Sequence, residues 1–476
     1  MYQESSSSEA TIEEHAGAGS VLRNKNFLLL WTAQAISQTA QNAIWFALMV
    51  VVEETTRSSM HLSLAVLSTV IPGIALGMIA GVFVDRMDKK TVLVTTNLLR
   101  AVAVLGYLLY SQAVWSIYLV NLVFCSISQF FGPAEASTIP RVVPRNQLIN
   151  ANSLFNLTFT GSQLAGIVLL APWVLKLFGA PTLFVLSAGV YVAAALLVYF
   201  LPKGNEQHKP LSSLRRETLA DDVWKEIKEG WNFIGADAGA ALAVRHLTVI
   251  SGLLLVMSMI APRFVVSVLG ISAEDSVYIV APAGIGVLVG AVMMGRLAAR
   301  FGKTVLVNVG LILLGFFLFV MALLKWSEQH IGYWFANQFG TILPASFGIV
   351  TATMLLAVFM GFYAALVMVP SQTILMERTP VPIRGRIFSV QIMLGNVASI
   401  LPLVFLGGLA DAFGVDTVIA IISLGILTIG GMAIRESRAL EPGPVASGAS
   451  PQAHVAELGQ GVSSSVDGDR QERIPT

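Results

Sequence analysis

Between residues 27 and 434 the sequence keeps returning to one unit, a run of about 20 apolar residues closed by a short turn that carries charges, glycine or proline. At a rise of 1.5 Å per residue, each run is long enough for a helix to cross a hydrocarbon core about 30 Å thick. Lipid offers no hydrogen bonds, so a crossing segment must satisfy its own backbone, and a helix does so within itself. Twelve runs are present, at 27–52, 63–84, 91–110, 115–135, 152–175, 181–201, 246–268, 276–298, 303–325, 346–370, 387–410 and 416–434. The chain therefore reads as an all-α polytopic membrane protein. Only 12% of its 476 residues are charged, against roughly 25% in an ordinary soluble domain, too few to cover it with polar surface.

Lysine and arginine set the expected orientation, because cytoplasmic loops retain them. With both termini inside, that side collects Arg23, Lys25, Arg86, Lys89, Lys90, Arg141, Arg145, a cluster from Lys203 to Arg245, then Arg296, Arg300, Lys303, Arg378, Arg384, Arg386, Arg435 and Arg438. The outer loops hold Arg57, Lys176 and Lys325. A multi-pass protein of the plasma membrane with cytoplasmic termini is expected. Residues 1–24 and 436–476 read as polar, disordered tails. The long connection 202–245 divides the spans six and six, giving bundles at 25–201 and 246–435. Within this linker Leu219, Val223, Ile227, Trp231 and Ile234 recur at three- and four-residue steps, the pattern of an amphipathic helix on the cytoplasmic surface. One chain supplies both bundles, so a monomer is expected.

The two halves echo each other. Gly73, Gly77 and Gly81 stand against Pro282, Gly286 and Gly290, and both series run into a basic turn followed by TVLV. Pro133 and Pro370 are each followed eight residues later by an arginine, Arg141 and Arg378. A duplicated six-helix unit accounts for both echoes. Small residues at every fourth position let helix backbones approach closely. The turn after the second span, with Gly81, Asp85, Arg86, Lys89 and Lys90, resembles the G-x-x-x-D-R-x-x-[RK]-[RK] signature of the major facilitator superfamily. The stretch from Phe130 to Asn152 is similar to the macrolide-efflux and enterobactin-export branch, and lysophospholipid transporters are similar there too. The resemblance implies two six-helix bundles and a cytoplasmic gate in which Asp85 meets the N-terminus of the eleventh span near Gly385 and Arg386.

Other functional classes are poorly served. A net charge of +1 gives no argument for nucleic acid. The single cysteine, Cys125, allows neither an intramolecular disulfide nor a multi-cysteine metal site. Gly302, Lys303 and Thr304 end like a phosphate loop, but Leu297 stands where that loop needs glycine. Gly284, Gly286 and Gly290 miss the dinucleotide spacing. No cofactor is expected, no catalytic set converges, and an enzyme is not the reading.

Polar residues inside the spans are the candidates for function, since an ionisable group at mid-membrane costs at least about 2.5 kcal/mol. Arg100 sits at mid-depth in the third span, and two readings stand: a cationic group in a central cavity, or a snorkelling or helix-bridging arginine satisfied by carbonyls. Gln34, Gln38, Gln41 and Asn42 form a polar stripe on the first span, expected to line the cavity. Asn121, Asn156, Gln163, Gln391 and Asn396 are weaker candidates of the same kind. For proton coupling, Glu135 is the first candidate, because Pro133, Ala134 and Glu135 stand opposite Pro370, Ser371 and Gln372 in the repeat. Arg263 is read as interfacial. The function expected is proton-coupled export of a small amphipathic compound by alternating access, with lipid and protons as the other partners. A lysophospholipid or uptake transporter of the same fold, or a non-transporting receptor, is the alternative.

Overall fold

The computed structural model describes residues 21–111, 113–202, 216–324, 345–380 and 383–440, and every regular element among them is helical. The flanking tails, most of the linker before Arg216, and the stretch around Lys325 fall outside them, as do the side chains of Leu219 and Val223.

Local chemistry sets most helix boundaries. Helix α1 (Lys25–Thr56) starts where the Asn24 side chain accepts hydrogen bonds from the Asn26 and Phe27 amides. It stops where Arg57 turns left-handed, at φ 50°. Ser58 then caps α2 (Ser59–Arg86), and Asp88 caps α3 (Lys89–Gly106). The fourth span is built from α4 (Val114–Ser128) and α5 (Phe131–Val142). A short 3-10 turn (Arg145–Gln147), helix α6 (Leu148–Leu164), a π-helical turn at Ala165–Leu170, and α7 (Ala171–Tyr199) form one stretch of 55 residues. That is far too long for one crossing. It breaks at Gly179, whose φ of 78° no helix holds. Eleven helical stretches long and apolar enough to span a membrane thus make twelve crossings among the described residues.

The linker carries α8 (Arg216–Ala236), and the seventh span is α9 (Ala238–Phe264). This helix begins ahead of the apolar run at 246, because the Asp237 carboxylate caps it by accepting from the Ala240 amide at 2.7 Å. The remaining spans are α10 (Val277–Phe301), α11 (Lys303–Ala322), α12 (Ala345–Arg378), α13 (Arg384–Phe413) and α14 (Val415–Leu440). One packed body extends to Gly430, and the end of α14 from Gly431 belongs to a separate short unit.

Large apolar side chains such as Val102, Trp115, Leu119 and Val292 stand exposed, as a lipid-facing surface requires. Contact between helices instead relies on small residues. A Cβ on Gly286 would overlap the Val358 carbonyl, and one on Gly361 the Ala283 carbonyl, so α10 and α12 touch backbone to backbone. The matching glycines of α2 are looser. A Cβ on Gly73 or Gly77 would meet the amides of Asn396 and Gln129 only at 3.7–3.9 Å, and one on Gly81 would meet open space.

Residues Val21 to Asn24, the first described, lie against the first bundle. Val21 is fully buried in the core of the first six spans beside Phe27, Leu93 and Phe131, and Asn24 donates to the Val142 carbonyl at 2.6 Å. The linker helix packs on the last six spans: Gly230 lies against Val390, and Glu229 pairs with Arg386. Its buried side is formed by Gly230 and Ile234, while Trp231 of the expected stripe is exposed.

Candidate functional site

A groove of about 240 Å³ opens between α1, α5 and α6, lined by Gln34, Glu135, Asn152, Phe155, Asn156 and Phe159, with Ala136 and Ile139. Its position follows from the helix order. Gln34 comes nearly three turns into α1, Glu135 one turn into α5, and Asn152 and Asn156 occupy successive turns of one face of α6. All three places belong to the half of the spans nearer the chain termini. The lining mixes amides with two aromatic rings and a single carboxylate.

Glu135 is the one ionisable group in that lining. Its Oε1 is buried and has no hydrogen-bond partner among the described residues, and the same is true of Gln34 Oε1. No ion pair within 4.0 Å joins Glu135 to Arg100 of α3. Arg100 is 2% exposed. Its guanidinium lies 4.4 Å from the centre of the Phe131 ring and 5.8 Å from that of Tyr191, and Nη2 donates to the Ser128 carbonyl at 3.3 Å. A carbonyl and two ring faces thus surround it between α3, α4, α5 and α7. Its Nε remains unpartnered, as do both amide atoms of the fully buried Asn97 one turn earlier and the Tyr191 hydroxyl.

The other polar candidates separate by what their amides touch. Gln38 and Gln41 are half-buried on α1. Asn42 faces the π-helical turn of the fifth span, where a Cβ on Gly166 would meet its own at 2.7 Å, and its Nδ2 has no partner. Asn156 and Gln163 are exposed on α6, the former lining the groove. Asn121 is fully engaged: Oδ1 accepts from the Tyr107 hydroxyl at 2.7 Å, and Nδ2 donates to Ser68 and Thr69 at 2.7 and 2.8 Å. That is a structural bridge between α2 and α4. Gln391 is buried on α13, and Asn396 approaches Gly73 of α2, where Gln129 also arrives.

On the termini side, the signature turn is partly internal to its own half. Lys89 Nζ donates to the Asp85 carbonyl at 2.7 Å, and Lys90 Nζ donates to the Leu201 carbonyl at 2.5 Å, over the Tyr199 ring. Arg86 is half-buried. The Asp85 side chain is exposed and takes no hydrogen bond among the described residues, and Gly385 at the start of α13 has open space beside it.

On the opposite side, the halves are tied together. Asp411, near the end of α13, accepts from the Ser58 hydroxyl at 2.5 Å, the Ser59 amide at 2.6 Å and the Met60 amide at 3.1 Å. Arg263 of α9 pairs with the buried Glu53 of α1 at 2.9 Å. Lys176 pairs with Asp275, and Ser63 donates to the Leu403 carbonyl at 2.7 Å. The reading of Arg263 as interfacial overlooked its partner, which lies 210 residues away along the chain. Sequence reasoning also passed over Asp411, Asn97, Asn152 and Gln129. A usable signal existed for two of them, since Asn97 precedes Arg100 by three residues on one helix face and Asp411 ends a span.

Residues 30–355 match the sequence profile of the Major Facilitator Superfamily. The uncharacterised MFS-type transporter YfiS of Bacillus subtilis is 25% identical over 426 residues, covering 87% of this chain and 95% of that protein. Macrolide efflux protein A of Streptococcus pyogenes is 24% identical over 335 residues, covering 68% and 80%. Among solved structures, a point mutant of the nucleoside transporter NupG matches with a TM-score of 0.64 at 13% identity, over 86% of this chain and 99% of that one. The peptide-family transporter PepTSo matches with a TM-score of 0.62 at 11% identity, over 88% and 99%. At such identities a structural match establishes a shared fold, and the profile match establishes kinship. With twelve crossings, the signature turn and a profile that runs from the first span into the tenth, the chain belongs to the Major Facilitator Superfamily, a family of membrane transporters rather than enzymes.

Proposed function

We propose that this chain exports a small amphipathic compound from the cytoplasm across the plasma membrane, driven by inward proton flow, by alternating access, and as a monomer with both termini inside. The observation that carries the reading is the unpartnered Glu135 carboxylate oxygen in a groove otherwise lined by amides and aromatic rings. Amides and rings suit a compound with one polar and one apolar face. A buried carboxylate can exchange that compound for a proton, because ionised it attracts a polar or cationic group and protonated it releases it. Gln38, Gln41 and Asn42 continue the polar stripe along α1 away from the termini, which supports a path through the midplane. Kinship with a macrolide efflux protein supports export.

In this reading Asp85 is the cytoplasmic gate, and its exposed, unpartnered carboxylate goes with a state open to the cytoplasm. Inside-out vesicles containing the protein, energised and offered macrolides, siderophores, cationic dyes and lysolipids in turn, test the proposal. One class should release protons from wild-type vesicles and not from Glu135→Gln vesicles. Compound movement that is indifferent to collapse of the gradient would replace export by facilitated or lipid transport.

A further inference from the structure

Helices α2 and α13 lie against each other in opposite directions. Gly407 of α13 meets Ser63 and the Ser59 carbonyl of α2, and further along Asn396 approaches Gly73. Each end of the pair therefore joins the N-terminus of one helix to the C-terminus of the other, and at both ends the C-terminal partner offers an aspartate. Asp85 is next to last in α2 and Asp411 lies two residues from the end of α13. A helix N-terminus presents unpaired amides and partial positive charge, so a carboxylate from a neighbouring helix can bind it as a cap.

Only one of these positions is filled. Asp411 holds the start of α2 through Ser58 Oγ and the Ser59 and Met60 amides, and Ser59 is fully buried there. A second tie, Arg263 to Glu53, closes the same side between α9 and α1. At the other end Asp85 is exposed without a partner among the described residues, and Gly385 has open space.

We infer that Asp411 is the latch of the face opposite the chain termini, and that Asp85 and Asp411 engage in turn at the two ends of the α2–α13 pair as the halves rock. The inference rests on the alternating-access part of the proposed function, and it assigns the outer gate to one carboxylate. In the structure the pair is seated at the Asp411 end and, among the described residues, not at the Asp85 end, so a rocking of the halves would exchange the two. Breaking one latch thus frees the other to form, and the two carboxylates hold the populations of the two states in balance.

Spin-label distances in the full chain, in a Cys125→Ser background, read both gates without substrate. One pair, Thr55 with Ala412, reports the far face, and a second, Asn146 with Met376, reports the termini face; all four residues are exposed. Asp411→Ala removes a carboxylate that accepts three hydrogen bonds. It should raise the ratio of far-face-open to far-face-closed molecules at least about tenfold, with the termini-face distance shortening in step. Asp85→Ala should move neither distance toward that state. Should Asp411→Ala not accumulate as folded protein, Ser58→Ala should give the same shift, reduced to a few-fold. Distances identical to wild type in whichever variant folds would overturn the assignment. Shifted distances in the variants with no compound flux by the wild-type protein would leave the latch standing and remove the export reading, and wild-type flux with unshifted distances in the variants would do the reverse.

Discussion

Asn121 and Glu135 are both polar residues in the fourth span, and their neighbours give them opposite roles. Asn121 spends its amide on Tyr107, Ser68 and Thr69. Removing one side of a buried hydrogen-bond set leaves its partners unsatisfied, at about 1–3 kcal/mol for each buried group. Asn121→Ala should therefore lower the thermal unfolding midpoint in detergent by several degrees, while compound exchange per folded molecule stays near wild type. Glu135 keeps one oxygen in reserve. Glu135→Gln should leave the unfolding midpoint near wild type and abolish only the dependence of flux on a proton gradient. The sequence marks both positions, because a polar side chain in an apolar run must have a reason. It does not say which is satisfied, since the partners sit on other helices: Ser68 lies 53 residues from Asn121. Arg100 shows the same limit. Its charge at mid-depth is plain from the sequence, but the carbonyl and ring faces that hold it belong to three other helices.

At the scale of the helix, hydropathy locates the crossings because lipid imposes one length and one composition on all of them. Their ends are less legible. Asp237 extends the seventh span backward by capping it ahead of the apolar run, and Gly179 breaks a stretch that is helical on both sides. The four-residue glycine spacing promises close crossings, and it delivers them unequally. In α10 the glycines seat on the α12 backbone, whereas in α2 they face longer side chains at ordinary contact distance. Gly286→Leu should separate α10 from α12 and cost about 1–3 kcal/mol through overpacking, seen as a lowered unfolding midpoint. Gly81→Leu, with open space around it, should leave that midpoint near wild type. Periodicity likewise finds the linker helix but not its docked face, which is decided by Gly230 against Val390 and Glu229 with Arg386. That tie makes the linker helix travel with the last six spans.

Across the molecule, the charged ties between the halves found among the described residues gather on one side. Glu53 with Arg263, Lys176 with Asp275, and Asp411 with the start of α2 close the face away from the termini, while Asp85 stands open on the other. Repeats in the sequence announce two halves, but ties between the halves leave no local trace, because each joins residues from different bundles. The groove at Glu135 is lined by residues of the first half alone. Coupling asks one thing more of the molecule: that the same carboxylate carry either compound or proton. The most direct measurement is compound movement in proteoliposomes that hold the purified protein, run once as exchange at equal pH on both sides and once as net flux under an imposed pH gradient. The account predicts that wild-type protein performs both and that Glu135→Gln keeps exchange but loses gradient-driven net flux. Net flux in Glu135→Gln equal to wild type would contradict it.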